Sequence, residues 1–186
     1  MQLDRLFMSV THPTSPTENC LPSLATGRSY QSAIALGSNM GNSVAILEGS
    51  LTALNQTPGI TVTSRSSWYI TEAVGPPQPD YLNGCALLEV QLDPKELLKT
   101  LLNIEKQFGR VRRERWGPRT LDLDLILFEN IILDTPELQI PHPRMRERAF
   151  VLVPLTEIAP HWIDPVSGKT IAQLNKANCQ TPSFMV

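Results

Sequence analysis

An α+β fold, a ferredoxin-like α/β sandwich with a mainly antiparallel sheet and an extra C-terminal segment, is predicted by three observations. The apolar pattern reads in the order strand, helix, strand, strand, helix, strand, which is the split βαβ arrangement. Both helical stretches carry their own start or stop signals. No internal repeat or linker separates two cores, and 186 residues with 41% apolar content suit one domain.

Each element can be justified in turn. Ser32 to Leu36, in "QSAIALGSNMGN", is a buried strand followed by a Gly, Ser and Asn turn. A helix is expected from about Asn42, with Val44, Leu47, Leu51 and Leu54 at helical spacing, ended by Pro58-Gly59. "ITVTSRSSWYIT" is rich in β-branched and aromatic residues and reads as a second strand. "EAVGPPQPDYLNG" reads as a proline-rich loop, and "CALLEVQL" as a third strand. At the next helix start Asp93 can cap, Pro94 suits the first helical position and Glu96 completes a capping box. Leu97, Leu101, Ile104 and Phe108 form its buried stripe, and Gly109 is placed to end it. There follow an arginine-dense loop, the strand "LDLDLILF", a short hairpin partner near "IILD", and a helical pattern from Arg144 to Glu157.

Three domain segments are expected: a disordered N-terminal extension over 1–28, rich in Ser, Thr and Pro, one folded domain over 29–180, and a flexible C-terminus over 181–186. No apolar run approaches the roughly 18 residues of a membrane helix. A net charge of -2 gives no general drive toward nucleic acid or anionic membranes. Cys20, Cys85 and Cys179 are odd in number and form no CxxC pair, which points to a reducing compartment and a cytoplasmic protein.

The chemistry concentrates in "ERWGPRTLDLDLILF". Asp122 and Asp124 are two residues apart on a strand, so their carboxylates share a face about 7 Å apart at roughly 3.3 Å of rise per residue. Alone, such a pair reads as a charged strand edge. Ile126 and Phe128, expected on the same face, argue instead for the rim of a covered surface. The preceding loop holds Arg110, Arg112, Arg113, Arg115 and Arg119 against one acid, Glu114. Carboxylates suit a hard divalent cation such as magnesium, and guanidinium groups clamp phosphate oxygens. Acids and arginines together imply a polyphosphate with metal between it and the carboxylates. "SGKT", Ser167 to Thr170, is not a phosphate loop, since Ile163 stands where the loop's first glycine is needed.

"RWGPRTLDLDLILF", "IPHPRMRERAFVLVPLTEIAP", "IALGSNMGN" and "GPPQPDYLNG" together resemble the 6-hydroxymethyl-7,8-dihydropterin pyrophosphokinase family of the folate pathway, in order from about Ala33 to Gln173. The resemblance implies transfer of the β,γ-diphosphate of ATP to the pterin hydroxymethyl group with release of AMP. It implies that Asp122 and Asp124 ligate two magnesium ions, and that Arg110 and Arg119 bear on the phosphates during transfer. Arg112, Arg115, His142, Arg148 and Glu105 would lie on the nucleotide side. Thr71, Val74, Gly75, Asn83, Trp116 and Phe150 would surround the pterin. ATP is then a co-substrate, and the chain is expected to act as a monomer, without nucleic acid, membrane or a fused neighbouring enzyme. Two loops, "PQPDYLN" and "GRVRRERWGP", are expected to close over the substrates.

Two other readings use the same residues. A metal-dependent phosphodiesterase or nucleotidyltransferase would release pyrophosphate or cleave a diester. A binding module would hold phosphates without turnover, but acids beside the arginines would repel a nucleic-acid backbone.

Overall fold

The computed structural model describes residues 27–73, 75–110, 117–178 and 184–185. Strand β1 (Tyr30–Ser38) leads to helix α1 (Ser43–Asn55), then β2 (Ile60–Arg65), β3 (Tyr69–Thr71), β4 (Tyr81–Val90), α2 (Pro94–Gln107) and β5 (Asp122–Phe128). The sheet order is β5-β1-β4, with β2 and β3 end to end along the far edge of β4, and every pairing is antiparallel. This is the predicted βαββαβ order, with the second strand interrupted at Ser66–Trp68. The break is held by Ser66, whose N–H donates to the Cys85 carbonyl at 2.9 Å and whose hydroxyl accepts the Cys85 N–H at 2.9 Å.

The expected β-branched strand 60–71 is therefore two short strands. The "CALLEVQL" strand starts four residues earlier than expected, at Tyr81, so "YLNG" is strand and not loop. "IILD" does not pair with β5: β6 (Leu133–Asp134) pairs with β7 (Gln139–Ile140) as a separate hairpin beside it.

The helices start where local chemistry dictates. Asn42 caps α1 through its side-chain oxygen, and Asp93 with Glu96 forms the predicted capping box of α2. Leu47, Leu51 and Leu54 of α1 and Leu97, Leu101 and Ile104 of α2 pack on one sheet face with Ile34, Leu36, Leu88, Leu123 and Leu125. Val44 is not part of that stripe; it lies in the first turn of α1, 49% exposed. Phe108 caps α2 and only half-buries against this layer.

The C-terminal piece covers the other face, making a third layer. The helical pattern from Arg144 divides into a 3-10 turn (Met145–Glu147) and helix α3 (Ala149–Ile158), because Arg148 between them is extended and caps α3. Val151, Leu152 and Leu155 of α3 pack with Ala33, Ala35, Cys85 and Ile126, joined by Ile171 and Leu174 of α4 (Ile171–Ala177). A final strand, β8 (Phe184–Met185), pairs with β3 at the sheet edge. The remainder of the two expected terminal segments lies outside the described residues. Among the described residues, no helix is long and apolar enough to cross a membrane.

One prediction fails for a local reason. The β1–β5 register runs Ile34 to Leu125 but Ala33 to Leu127, so Ile126 is an extra residue in a β-bulge. The bulge exchanges faces: Ile126 stays on the α3 side with the aspartates, whereas Phe128 turns into the α1/α2 layer, its ring 5.6 Å from that of Tyr30.

Candidate active site

Asn83, Asp122 and Asp124 lie on the α3 face, where the ends of β4, β1 and β5 converge, and the site continues past β5 to Glu105 of α2 and Arg110. Register places Asn83 opposite Gly37, and Gly37 opposite Asp122, in one lateral row; Cys85, Ala35 and Asp124 form the next. Neighbouring strands lie about 4.8 Å apart, so Asn83 and Asp122 are roughly 10 Å from one another across a position that has no side chain. A Cβ on Gly37 would lie 2.8 Å from Asn83 Oδ1. The gap between the two polar groups is thus kept open by glycine.

On the β5 side, buried and half-buried charges form a chain. Glu105 of α2, 1% exposed, accepts the Leu123 N–H at 2.8 Å and pairs with Arg110. Arg110 reaches on to Asp122 Oδ1 at 2.7 Å, and Arg119 meets Asp122 Oδ2 at 2.6 Å. Burial alone would lower the Arg119 pKa, but the charge and hydrogen bond of Asp122 outweigh it and raise it. Asp124 has its own partners: the Arg148 guanidinium at 3.2 Å and the His142 imidazole Nε2 at 3.9 Å. Burial keeps the His142 pKa below its usual value despite Asp124, with Arg148 and Arg144 also opposing protonation. Arg148 in addition lies 5.4 Å from the Phe150 ring, a cation–π contact.

The structure therefore brings Glu105, Arg110, Arg119, Asp122, Asp124, His142 and Arg148 into one continuous group, with Phe150 attached through Arg148. Thr71 and Asn83 form a second group, in which Asn83 Nδ2 donates to Thr71 Oγ1 at 2.6 Å. Gly75 lies in the β3–β4 loop with φ of 124°, a conformation that favours glycine. Val74, Arg112, Arg113, Arg115 and Trp116 lie outside the described residues.

Sequence reasoning missed three contributors. Asn39, 5% exposed, bonds to the chain on both sides of the site. Tyr81 donates to the Gly117 carbonyl at 3.4 Å beside Arg119 and Asp122, and burial raises its pKa. Gly37 is the third. An Asn just after a buried strand was the available signal for Asn39, whereas Gly37 and Tyr81 acquire meaning only through strand register.

A cavity of about 380 Å³ opens beside these charges. Glu105, Arg110, Asp124 and His142 form its polar end, and Leu98, Leu102, Leu125 and Leu138 its apolar wall. Such a mixed pocket accommodates a ligand with a flat apolar part and an anionic tail. Among the described residues no group of three or more His, Cys, Asp or Glu could hold a metal alone. The two carboxylates nevertheless fit magnesium, which binds through one or two carboxylates and completes its shell with water and phosphate oxygens. Their strand neighbours, Gly37 and Ala35, are small, and among the described residues Asp122 Oδ1 has no aligned hydrogen bond although Arg110 is close.

Comparisons with known proteins show the family of the chain. The 7,8-dihydro-6-hydroxymethylpterin-pyrophosphokinase (HPPK) family profile matches residues 33–160. A Synechocystis 2-amino-4-hydroxy-6-hydroxymethyldihydropteridine pyrophosphokinase is 54% identical over 162 residues, 87% of this chain and 80% of that protein. Proteins of the same description from Haemophilus influenzae and Methylorubrum extorquens are 46% and 43% identical, covering 77% and 75% of this chain and 89% and 88% of theirs. The solved Plasmodium falciparum HPPK-DHPS wild type shares the fold at a TM-score of 0.65 and 15% identity, over 81% of this chain and 41% of that one. This chain thus spans about two fifths of the solved chain's length. With the profile matching over most of its length and relatives of this identity, the chain belongs to the 7,8-dihydro-6-hydroxymethylpterin-pyrophosphokinase family and is an enzyme of pyrophosphoryl transfer to hydroxymethyldihydropterin in folate biosynthesis.

Proposed function

We propose that this chain transfers the β,γ-diphosphate of ATP to the hydroxymethyl group of 6-hydroxymethyl-7,8-dihydropterin, with Asp122 and Asp124 at the centre of the reaction. The observation that carries this reading is the balanced charge of the site. Arg110, Arg119 and Arg148 are each engaged by a carboxylate from Glu105, Asp122 or Asp124. An incoming polyphosphate competes for those guanidinium groups, and the aspartates then require another cation. Two magnesium ions held by Asp122 and Asp124 would meet that requirement, neutralise phosphate charge and lower the pKa of the attacking hydroxyl.

The chain's own residues mainly orient and screen, as phosphoryl transfer demands. Arg110 and Arg119 swing from Asp122 toward the transferring phosphates, while Glu105 keeps Arg110 anchored at its root. His142 and Arg148 bind the nucleotide from the other side of Asp124. The apolar wall of the cavity receives the adenine, and Asp122 or Asp124 is the acceptor for the hydroxyl proton. The pterin lies over Gly37, with its polar edge toward Asn83 and Thr71 and its ring against Phe150. By their motif positions, Arg112 and Arg115 join the nucleotide side, and Val74, Gly75 and Trp116 the pterin side. The odd cysteine number without a CxxC pair supports a cytoplasmic setting, and the reading takes the chain as a monomer.

The test is AMP release from MgATP with and without 6-hydroxymethyl-7,8-dihydropterin. Pterin-dependent AMP together with a diphosphorylated pterin is expected. Release of inorganic pyrophosphate, or ATP binding without turnover, would instead favour the nucleotidyltransferase or binding-module reading.

A further inference from the structure

The "SGKT" turn belongs to a buried ion pair outside the charge chain described above. Asp164, with no exposed surface, accepts from Arg146 Nε at 2.6 Å and Arg146 Nη2 at 2.7 Å. It also accepts from the Ser167 hydroxyl at 2.5 Å and from the Val166 and Ser167 N–H groups, each at 3.2 Å. Both oxygens are therefore saturated, which is what a buried carboxylate needs to stay charged. Burial would raise the Asp164 pKa, but Arg146 and Ser167 bring it below its usual value.

Arg146 sits between two residues of the candidate site, His142 and Arg148. The Met145 N–H donates to the His142 carbonyl at 3.0 Å, and the Arg148 N–H to the Met145 carbonyl at 3.3 Å. His142 thus enters, and Arg148 leaves, the single 3-10 turn that carries Arg146, and both side chains reach Asp124. The carbonyl of Arg146 is held in turn by Asn178 Nδ2 at 3.2 Å. A 3-10 turn is short and has poorer hydrogen-bond geometry than an α-helix, so it holds its neighbours in place only when anchored from outside.

We propose that Arg146 is a positioning residue for the transfer reaction: its two-pronged bond to Asp164 anchors the Met145–Glu147 turn to the C-terminal layer, and the anchored turn presents Arg148 and His142 to the nucleotide. The extra C-terminal segment thereby acts as the base on which half of the nucleotide grip is mounted. The inference rests on the reading that Arg148 and His142 serve the ATP side. It adds that a residue touching neither substrate sets how well they do so. A bidentate pair fixes direction as well as distance, and lysine, with a single-point ammonium, cannot reproduce it.

The test compares Arg146→Lys, Asp164→Asn and Ser167→Ala in the full chain, with steady-state kinetics for each substrate and thermal unfolding. Ser167→Ala removes one bond to the same carboxylate but leaves the Arg146 pair, so it shows what lost stability alone does to the kinetics. Arg146→Lys and Asp164→Asn are expected to lower kcat/KM for ATP about tenfold, while kcat/KM for the pterin at saturating ATP stays within about twofold. In an Arg148→Ala background, Arg146→Lys should add little to the loss in ATP efficiency, because it acts through a residue already removed. Equal losses for both substrates, a loss no larger than that of Ser167→Ala at the same unfolding temperature, or full additivity with Arg148→Ala would overturn the proposal. Wild-type protein without pterin-dependent AMP release would instead remove the functional reading beneath it, which separates the two failures.

Discussion

Asn39 and Arg119 form a reciprocal pair: the Asn39 side-chain oxygen accepts the Arg119 N–H at 2.8 Å, and the Asn39 N–H donates to the Arg119 carbonyl at 3.0 Å. The other end of the same amide donates to Gln78 Oε1 at 3.0 Å and to the Pro79 carbonyl at 2.9 Å. One buried side chain therefore ties the β3–β4 loop to the exit of the arginine loop, three residues before Asp122.

Replacing Asn39 by Ala leaves the Arg119 N–H without its acceptor and releases the β3–β4 loop. A buried donor stranded in this way costs about 1–3 kcal/mol. Chemical denaturation should show that loss, and hydrogen exchange should show the amides of Gly75, Gln78 and Asp80 exchanging faster than in the parent. Activity should fall at the same time, since Arg119 loses its fixed starting point. Unchanged exchange in that loop would mean that Asn39 does not couple the two segments.

Asp124→Ala is expected to abolish turnover and spare the fold. Asp124 is itself 35% exposed and Arg148 and His142 19% each, so water can reach the partners left behind, and the loss should stay below the roughly 3–5 kcal/mol of breaking a fully buried pair. Charge neutralisation at a transferring phosphoryl group amounts to several kcal/mol, which corresponds to a rate loss on the order of a thousandfold or more. The comparison is AMP release against melting temperature: a variant with near-parent turnover would remove Asp124 from the proposed metal and phosphate centre.

What could be read in the chain divides by the range of the interactions. The capping box at Asp93 and Glu96 is local chemistry, and it formed as read. The aspartate pair was also legible, because strand alternation alone puts Asp122 and Asp124 on one face. Phe128 was misplaced because a bulge at Ile126 depends on how β1 and β5 register, which no short window records. Val44 was misplaced because helical spacing marks a stripe without telling where the sheet begins beneath it. Glu105 entered only through family resemblance; its local sequence shows a helix acid, not an acid that accepts the N–H of Leu123 eighteen residues away. Arg146 and Asp164 are separated by eighteen residues too, and each alone looks like an ordinary surface charge.

Tyr69 gives a prediction at alkaline pH. Its phenol is buried and donates to Glu157 Oε2 at 2.9 Å. Burial first, and then that hydrogen bond, push its pKa from 10.0 up to about 12. The folded state thus keeps a proton that the unfolded chain releases. This contribution to stability is complete below pH 10 and is lost as pH rises from about 10 to about 12. Tyr69→Phe should flatten the stability profile within that window, and a spectroscopic titration of the parent should show one phenol ionising late. Identical pH profiles for parent and Tyr69→Phe would rule out the raised pKa.

Gly37→Ala separates the two substrates. The added Cβ would stand 2.8 Å from Asn83 Oδ1 and 3.6 Å from the Tyr81 ring. Asn83 cannot simply turn away, because it is 7% exposed and its Nδ2 is committed to Thr71 Oγ1 at 2.6 Å. The methyl group must therefore displace the Asn83–Thr71 pair or fill the floor over which the pterin is proposed to lie. Either outcome raises KM for the pterin, by about tenfold if one directed hydrogen bond of about 1.4 kcal/mol is lost. The cavity proposed for ATP is walled by α2, β5 and the segment from Thr135 to Pro143 and does not include Gly37, so KM for ATP should hold. Steady-state kinetics with each substrate varied in turn measure both effects. A change confined to ATP would place the pterin somewhere other than the row from Asn83 through Gly37 to Asp122.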